Sequence, residues 1–146
     1  MIYRDLQMGT LLRLAIGDHI PDALIEFAQR ERWTAGWLQG IGGVENVELA
    51  YFNRETKTYL PKKFEGAYEL IHCSGNLAMV DGKPFWHVHA LIGDGDCHVF
   101  GGHLVNATIA VTGEFWLTRA SGLVQRILDE QTGLKLLNLH TPETRV

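Results

Sequence analysis

Apolar and polar positions alternate along most of this chain, and one stretch breaks the rule with a longer period. From Ile20, apolar side chains recur at Leu24, Phe27 and Ala28, the stripe of a helix with one buried face. Asp18 and Asp22 near its start and Arg30 and Arg32 near its end suit the helix dipole. Pro21 suits its first turn, where a missing N–H costs nothing. Period-two segments predict strands at 10–16 and 34–41 on either side of the helix. Others follow at 47–53, 67–73, 76–80, 85–92, 97–105, 107–117 and 134–139. Asp81-Gly82 is a two-residue hairpin signal between two of them. The expected fold is α+β: a largely antiparallel sheet with one main helix packed on it, in a single domain over residues 1–146.

The segment Phe85-Trp86-His87-Val88-His89-Ala90-Leu91-Ile92 carries the candidate chemistry. In a strand, Trp86, Val88, Ala90 and Ile92 form one apolar row, and His87 and His89 fall on the other, about 7 Å apart. Two imidazoles so placed can converge on one ion, since each nitrogen must come within about 2.0–2.1 Å of zinc. Gly93-Asp94-Gly95-Asp96 is a turn signal, so residues 97–105 should return alongside. If Gly93 pairs with Cys97, His103 lies directly across from His87 on the same face. A slip of one residue would reverse that. Gly101-Gly102 before His103 suits a bulge or a close backbone approach. Three neutral histidines leave a tetrahedral zinc one open position. Zinc is the expected metal, with other divalent transition ions compatible with imidazole.

Other motifs carry less. In 107–117, Ile109, Val111, Phe115 and Leu117 form an apolar row, and Thr108, Thr112 and Glu114 share the other, which could adjoin the histidine face. Glu114 is the candidate catalytic carboxylate, orienting a ligand or acting as a base toward metal-bound water. The glycines at 40, 42 and 43 lead into another strand rather than a helix. That excludes a dinucleotide loop and favours a bend or close backbone contact. His98 is expected packed or edge-exposed, His19 precedes the helix, and His72 and His140 have no evident partner. Trp33, Trp37 and Tyr51 are candidate surface aromatics.

Composition narrows the function classes. A 46% hydrophobic and 21% charged chain of 146 residues folds around a core. No apolar run reaches the ~20 residues of a membrane span. Cys73 and Cys97 form no CxxC pair and read as small core thiols in a reducing compartment. With no signal-peptide pattern at the N-terminus, a cytoplasmic location is expected. Net charge is −4, and Lys62-Lys63 is the only adjacent basic pair, so a basic stripe for a phosphate backbone is missing.

His87-Val88-His89, the turn at Gly93-Asp94-Gly95 and Gly101-Gly102-His103-Leu104 resemble the signature of the plants-and-prokaryotes-conserved (PPC) domain family. Arg13-Leu14, Gly17-Asp18, Glu26-Phe27-Ala28, Gly40-Ile41-Gly42, Gly66 with Glu69-Leu70, Ser74-Gly75 and Glu114 follow the same order. The resemblance spans roughly residues 10–140 and implies a homotrimer with a metal on His87, His89 and His103. It also implies a DNA-associated or regulatory role. Plant members join the domain to an AT-hook, whereas this chain has no Arg-Gly-Arg-Pro core. The fold expected from the family is also similar to that of acetolactate decarboxylase, a three-histidine zinc enzyme. Three functions therefore stand as expectations. One is a metal-bearing trimer with DNA or a small ligand as partner. Another is a zinc-dependent lyase or hydrolase acting on a small carbonyl or carboxylate compound. The third is a structural scaffold for a protein partner.

Overall fold

A computed structural model describes residues 1–139, and among them nine strands and one helix form. The chain opens on the antiparallel pair β1 (Ile2–Leu6) and β2 (Gly9–Leu14). It passes through β3 (His19–Ile20) into α1 (Asp22–Arg30). Four long strands follow: β4 (Gly36–Asn53), β5 (Thr58–Val80), β6 (Lys83–Gly93) and β7 (Val99–Arg119). The hairpin of β8 (Gln125–Leu128) and β9 (Lys135–Asn138) comes last.

One sheet runs β1-β2-β7-β4-β5-β8-β9, with β3 on β7 and β6 pairing both β5 and β7. Since β4 also pairs β5 and β7, these four long strands close a circuit of antiparallel pairings. The β5–β8 contact at Met79 and Gln125 is parallel. The sheet is thus mixed but mostly antiparallel, with one short helix against it.

Segments that sequence periodicity separates are often halves of one strand. Residues 34–41 and 47–53 merge in β4, 67–73 and 76–80 in β5, and 97–105 and 107–117 in β7. Bulges rather than turns interrupt the alternation, as at Gly40/Gly42 and Glu45/Val47 of β4. Val111 shows the effect. Between the pairs Gly42/Gly113 and Val44/Ile109, β4 has one residue and β7 has three. Val111 sits in that bulge and is exposed, while Ile109, Phe115 and Leu117 of its expected row are buried. At Gly42, a Cβ would stand 2.1 Å from the Thr112 carbonyl oxygen, the close backbone contact expected of this glycine run.

The core lies between α1 and the sheet. Ala23, Leu24, Phe27 and Ala28 form the buried helix face. Pro21 sits at the N-cap, one position before the expected first turn, where its carbonyl accepts from the Leu24 and Ile25 amides. Trp33 packs edge-on against Phe27 at 5.3 Å and is buried, correcting its place among the surface aromatics, whereas Trp37 and Tyr51 are exposed. From β6, Trp86, Val88, Ala90 and Ile92 are all buried, and Trp86 Nε1 donates to the Leu24 carbonyl at 3.0 Å. That bond fixes which face of β6 meets the helix, and so which face carries His87 and His89. Asp81 and Gly82 both adopt positive φ, as a two-residue hairpin requires. Of the two thiols only Cys73 is buried. Cys97 is exposed in the β6–β7 loop at φ 63°, which corrects the reading of two core cysteines. No helix among the described residues is long and apolar enough to cross a membrane.

Candidate metal centre

Strand parity brings three imidazoles onto one face. His87 and His89 leave β6 away from the core, and His103 leaves β7 beside them. Ring centroids are 5.0 Å apart for His87–His89, 5.2 Å for His87–His103 and 5.7 Å for His89–His103. One ring nitrogen from each lies within 4.8 Å of the others. Nitrogens sharing a tetrahedral zinc at 2.0–2.1 Å lie about 3.4 Å apart, so the rings would turn toward one another to share one ion. Gly102 lets β7 approach β4 just before His103: a Cβ there would meet the Ala50 carbonyl oxygen at 2.9 Å.

The pairing differs from the expected one by two residues. Gly93 pairs with Val99, so His103 stands across from His89 rather than His87. Asp94 is the cause: its Oδ1 accepts from the amides of Asp96 and His98, which lengthens the loop to 94–98. A shift of two keeps every side chain on its face, so the cluster survives.

The donor chemistry fits a metal. His103 Nδ1 is buried with no hydrogen-bond partner, a cost that a bound ion would remove. Burial, followed by the charges of Arg126, His103 and His89, pushes His87 down to about 4. Burial first, then His89 and Arg126, also lowers His103. Both rings are therefore held neutral, the form that ligates.

Sequence reasoning did not find the neighbouring group. Arg126 on β8 is buried, and its Nη2 donates to His87 Nδ1 at 3.3 Å and to Asn76 Oδ1 at 2.7 Å. Its Nη1 donates to the Lys135 carbonyl at 3.0 Å. Burial lowers its pKa. With His87, His103 and Tyr59 it lines a partly open cavity of about 340 Å³ beside the β8–β9 hairpin, and Val80, Phe85, Leu134 and Leu136 form the apolar part of its wall. Tyr59 lies tilted against the His103 ring at 4.9 Å. A lone arginine in a four-residue strand offers no spacing to read, so only the fold could place it.

The Plants and Prokaryotes Conserved domain, abbreviated PCC or PPC, matches residues 4–121. The chain belongs to this family. Its fold is shared with a metal-containing protein from Archaeoglobus fulgidus, at 34% identity and TM-score 0.83, over 94% of this chain and 99% of that one. A candidate DNA-binding protein from Bacteroides thetaiotaomicron superposes with TM-score 0.90 at 26% identity, over 94% and 96% of the two chains. A Staphylococcus aureus protein of unknown function, similar to α-acetolactate decarboxylase, shares the fold at TM-score 0.57 and 9% identity, over 80% of this chain and 54% of that one. Curated proteins return no match.

The other sequence candidates scatter over this PPC domain. Glu114 is exposed, opposite Arg13 and Ile41, and lines a separate surface cavity of about 350 Å³ with Gln39, His72 and Trp116. None of the three clustered histidines borders that cavity. His98 is edge-exposed and pairs with Asp94 at 3.1 Å. His19 contacts Thr108 Oγ1 at 3.3 Å, and His140 lies outside the described residues.

Proposed function

We propose that this PPC chain is a metal-dependent ligand-binding protein of regulatory type, a cytoplasmic homotrimer of single-domain subunits spanning residues 1–146. His87, His89 and His103 hold one divalent ion, zinc by preference. The observation that carries this reading is the convergence of three imidazole donors within 4.8 Å, one of them with a buried, unpartnered nitrogen. The metal-containing relative from Archaeoglobus supports it. Bound zinc would supply positive charge and Lewis acidity at a coordination position that the three histidines leave open. Calorimetric titration of chelated protein with zinc tests the reading. Saturation at about one ion per chain supports it, and no heat of binding removes it. Light scattering on the same sample tests the trimer.

The cavity against His87 and His103 favours a second reading, a zinc-dependent lyase or hydrolase acting on a small carbonyl or carboxylate compound. In that reading the chain's own residues bind and orient the substrate beside the β8–β9 hairpin. Glu114 serves as base only if it reaches the site from another copy of the chain. Glu114→Gln abolishing turnover without changing zinc content would support that role.

DNA enters through the Bacteroides relative. The net charge of −4 and scattered basic residues predict weak, strongly salt-dependent association. Binding of A·T-rich duplex across a salt series measures it, and no binding at low salt removes DNA as a partner.

A further inference from the structure

Arg126 is the one charged side chain in the buried set among the described residues, and no carboxylate there balances it. Its hydrogen bonds end on neutral acceptors, the Lys135 carbonyl, the Asn76 amide oxygen and the His87 ring, and its Nε has no partner. A guanidinium does not shed its proton, so among the described residues a positive charge stays largely buried with no carboxylate against it. Such a charge is strongly destabilising unless something anionic joins it. The fold tolerates this at the wall of a cavity of about 340 Å³ whose remaining surface includes Val80, Phe85, Leu134 and Leu136. The Phe85 ring centroid lies 5.8 Å from the guanidinium carbon.

We propose that this cavity receives a small organic monocarboxylate, with Arg126 as its charge partner and the apolar walls around its hydrocarbon end. One positive group matches one negative charge. The other cation on the cavity wall, Lys135, already pairs with Asp81. The coupling described next rests on the metal reading. A divalent ion on three neutral imidazoles adds two positive charges to a cluster without a carboxylate, so metal and anion favour each other. His87 links them. A neutral imidazole that accepts the Arg126 N–H at Nδ1 carries its own proton on Nε2 and has no lone pair left for an ion. Metal ligation by either nitrogen therefore breaks this hydrogen bond and releases an Nη hydrogen toward the anion.

Calorimetry with butyrate, its neutral isostere butyramide and inorganic phosphate tests the proposal on chelated and zinc-loaded protein. Butyrate should bind about tenfold or more tighter than butyramide, as expected for a charge-assisted hydrogen bond. Zinc loading should tighten butyrate binding and leave butyramide unchanged. Arg126→Gln should erase the preference for butyrate, and Arg126→Lys should keep part of it. Equal binding of butyrate and butyramide by the unaltered protein overturns the proposal without any variant, as does tighter binding of phosphate than butyrate. Zinc content of the same samples separates the two readings. No bound zinc with an intact butyrate preference removes the metal and the coupling but supports the Arg126 site. One zinc per chain with no butyrate preference removes the Arg126 site alone.

Discussion

His89 on β6 stands directly across from His103 on β7 in the antiparallel ladder, and His87 reaches the pair from two residues along β6. Facing and diagonal side chains on neighbouring strands come close enough for two separate strands to share an ion. Removing one member should therefore break the site without breaking the sheet. His103→Ala is expected to weaken zinc binding about 100-fold or more, beyond what changes behind the ligands cause. Because the core row of β6 lies on the other face, the far-ultraviolet circular dichroism should stay unchanged. An unfolded variant would show that His103 supports the core.

Acid should weaken the metal-free protein through the same cluster. His87 titrates at about 4 in the folded chain and near 6.5 when unfolded, so the unfolded state binds more protons between those values. Stability is full above about 6.5 and falls as pH drops toward 4. A pKa held that low corresponds to roughly 3 kcal/mol. Urea midpoints of chelated protein at pH 7, 5.5 and 4.5 should decline, and His87→Gln should flatten the decline. Equal slopes in both proteins would contradict the assignment.

The two thiols should separate cleanly. Burial pushes Cys73 up to about 12, whereas Cys97 is exposed in the loop at 94–98. A thiol reagent at neutral pH should modify Cys97 alone, with Cys73 reacting only on unfolding. Peptide mapping after labelling identifies the site, and early labelling of Cys73 would place it outside the core.

The bond from Trp86 Nε1 to the Leu24 carbonyl connects the histidine strand to the helix. Trp86→Phe keeps an aromatic ring and loses the donor, at an expected cost of about 1–2 kcal/mol. The urea midpoint should fall while zinc affinity holds. A change in zinc affinity alone would mean that the helix contact positions the ligands more than it stabilises the fold.

How far these residues could be read in advance depends on the range of the interaction. Period-two alternation in 85–92 fixed the core row of β6, and therefore the face of His87 and His89, from local sequence alone. The helix stripe from Ile20 to Ala28 is equally local. The register with His103 was open by two residues, because it depended on how the Asp94 carboxylate folds the loop. Bulges in β4 and β7 could not be told from turns, which split strands that are continuous and put Val111 on the wrong face. The exposed β1 has no buried face and hence no pattern to find. Arg126 lies 37 residues beyond His89 and meets the site because β8 docks beside β5 at Met79. Contacts of that range leave no mark on spacing.

Metal content decides the central claim. Elemental analysis of protein purified without chelator, beside His87→Ala, His89→Ala and His103→Ala, should find about one divalent ion per wild-type chain and little in any variant. A metal-free wild type that also refuses added zinc, or variants that keep their ion, would contradict the three-histidine centre.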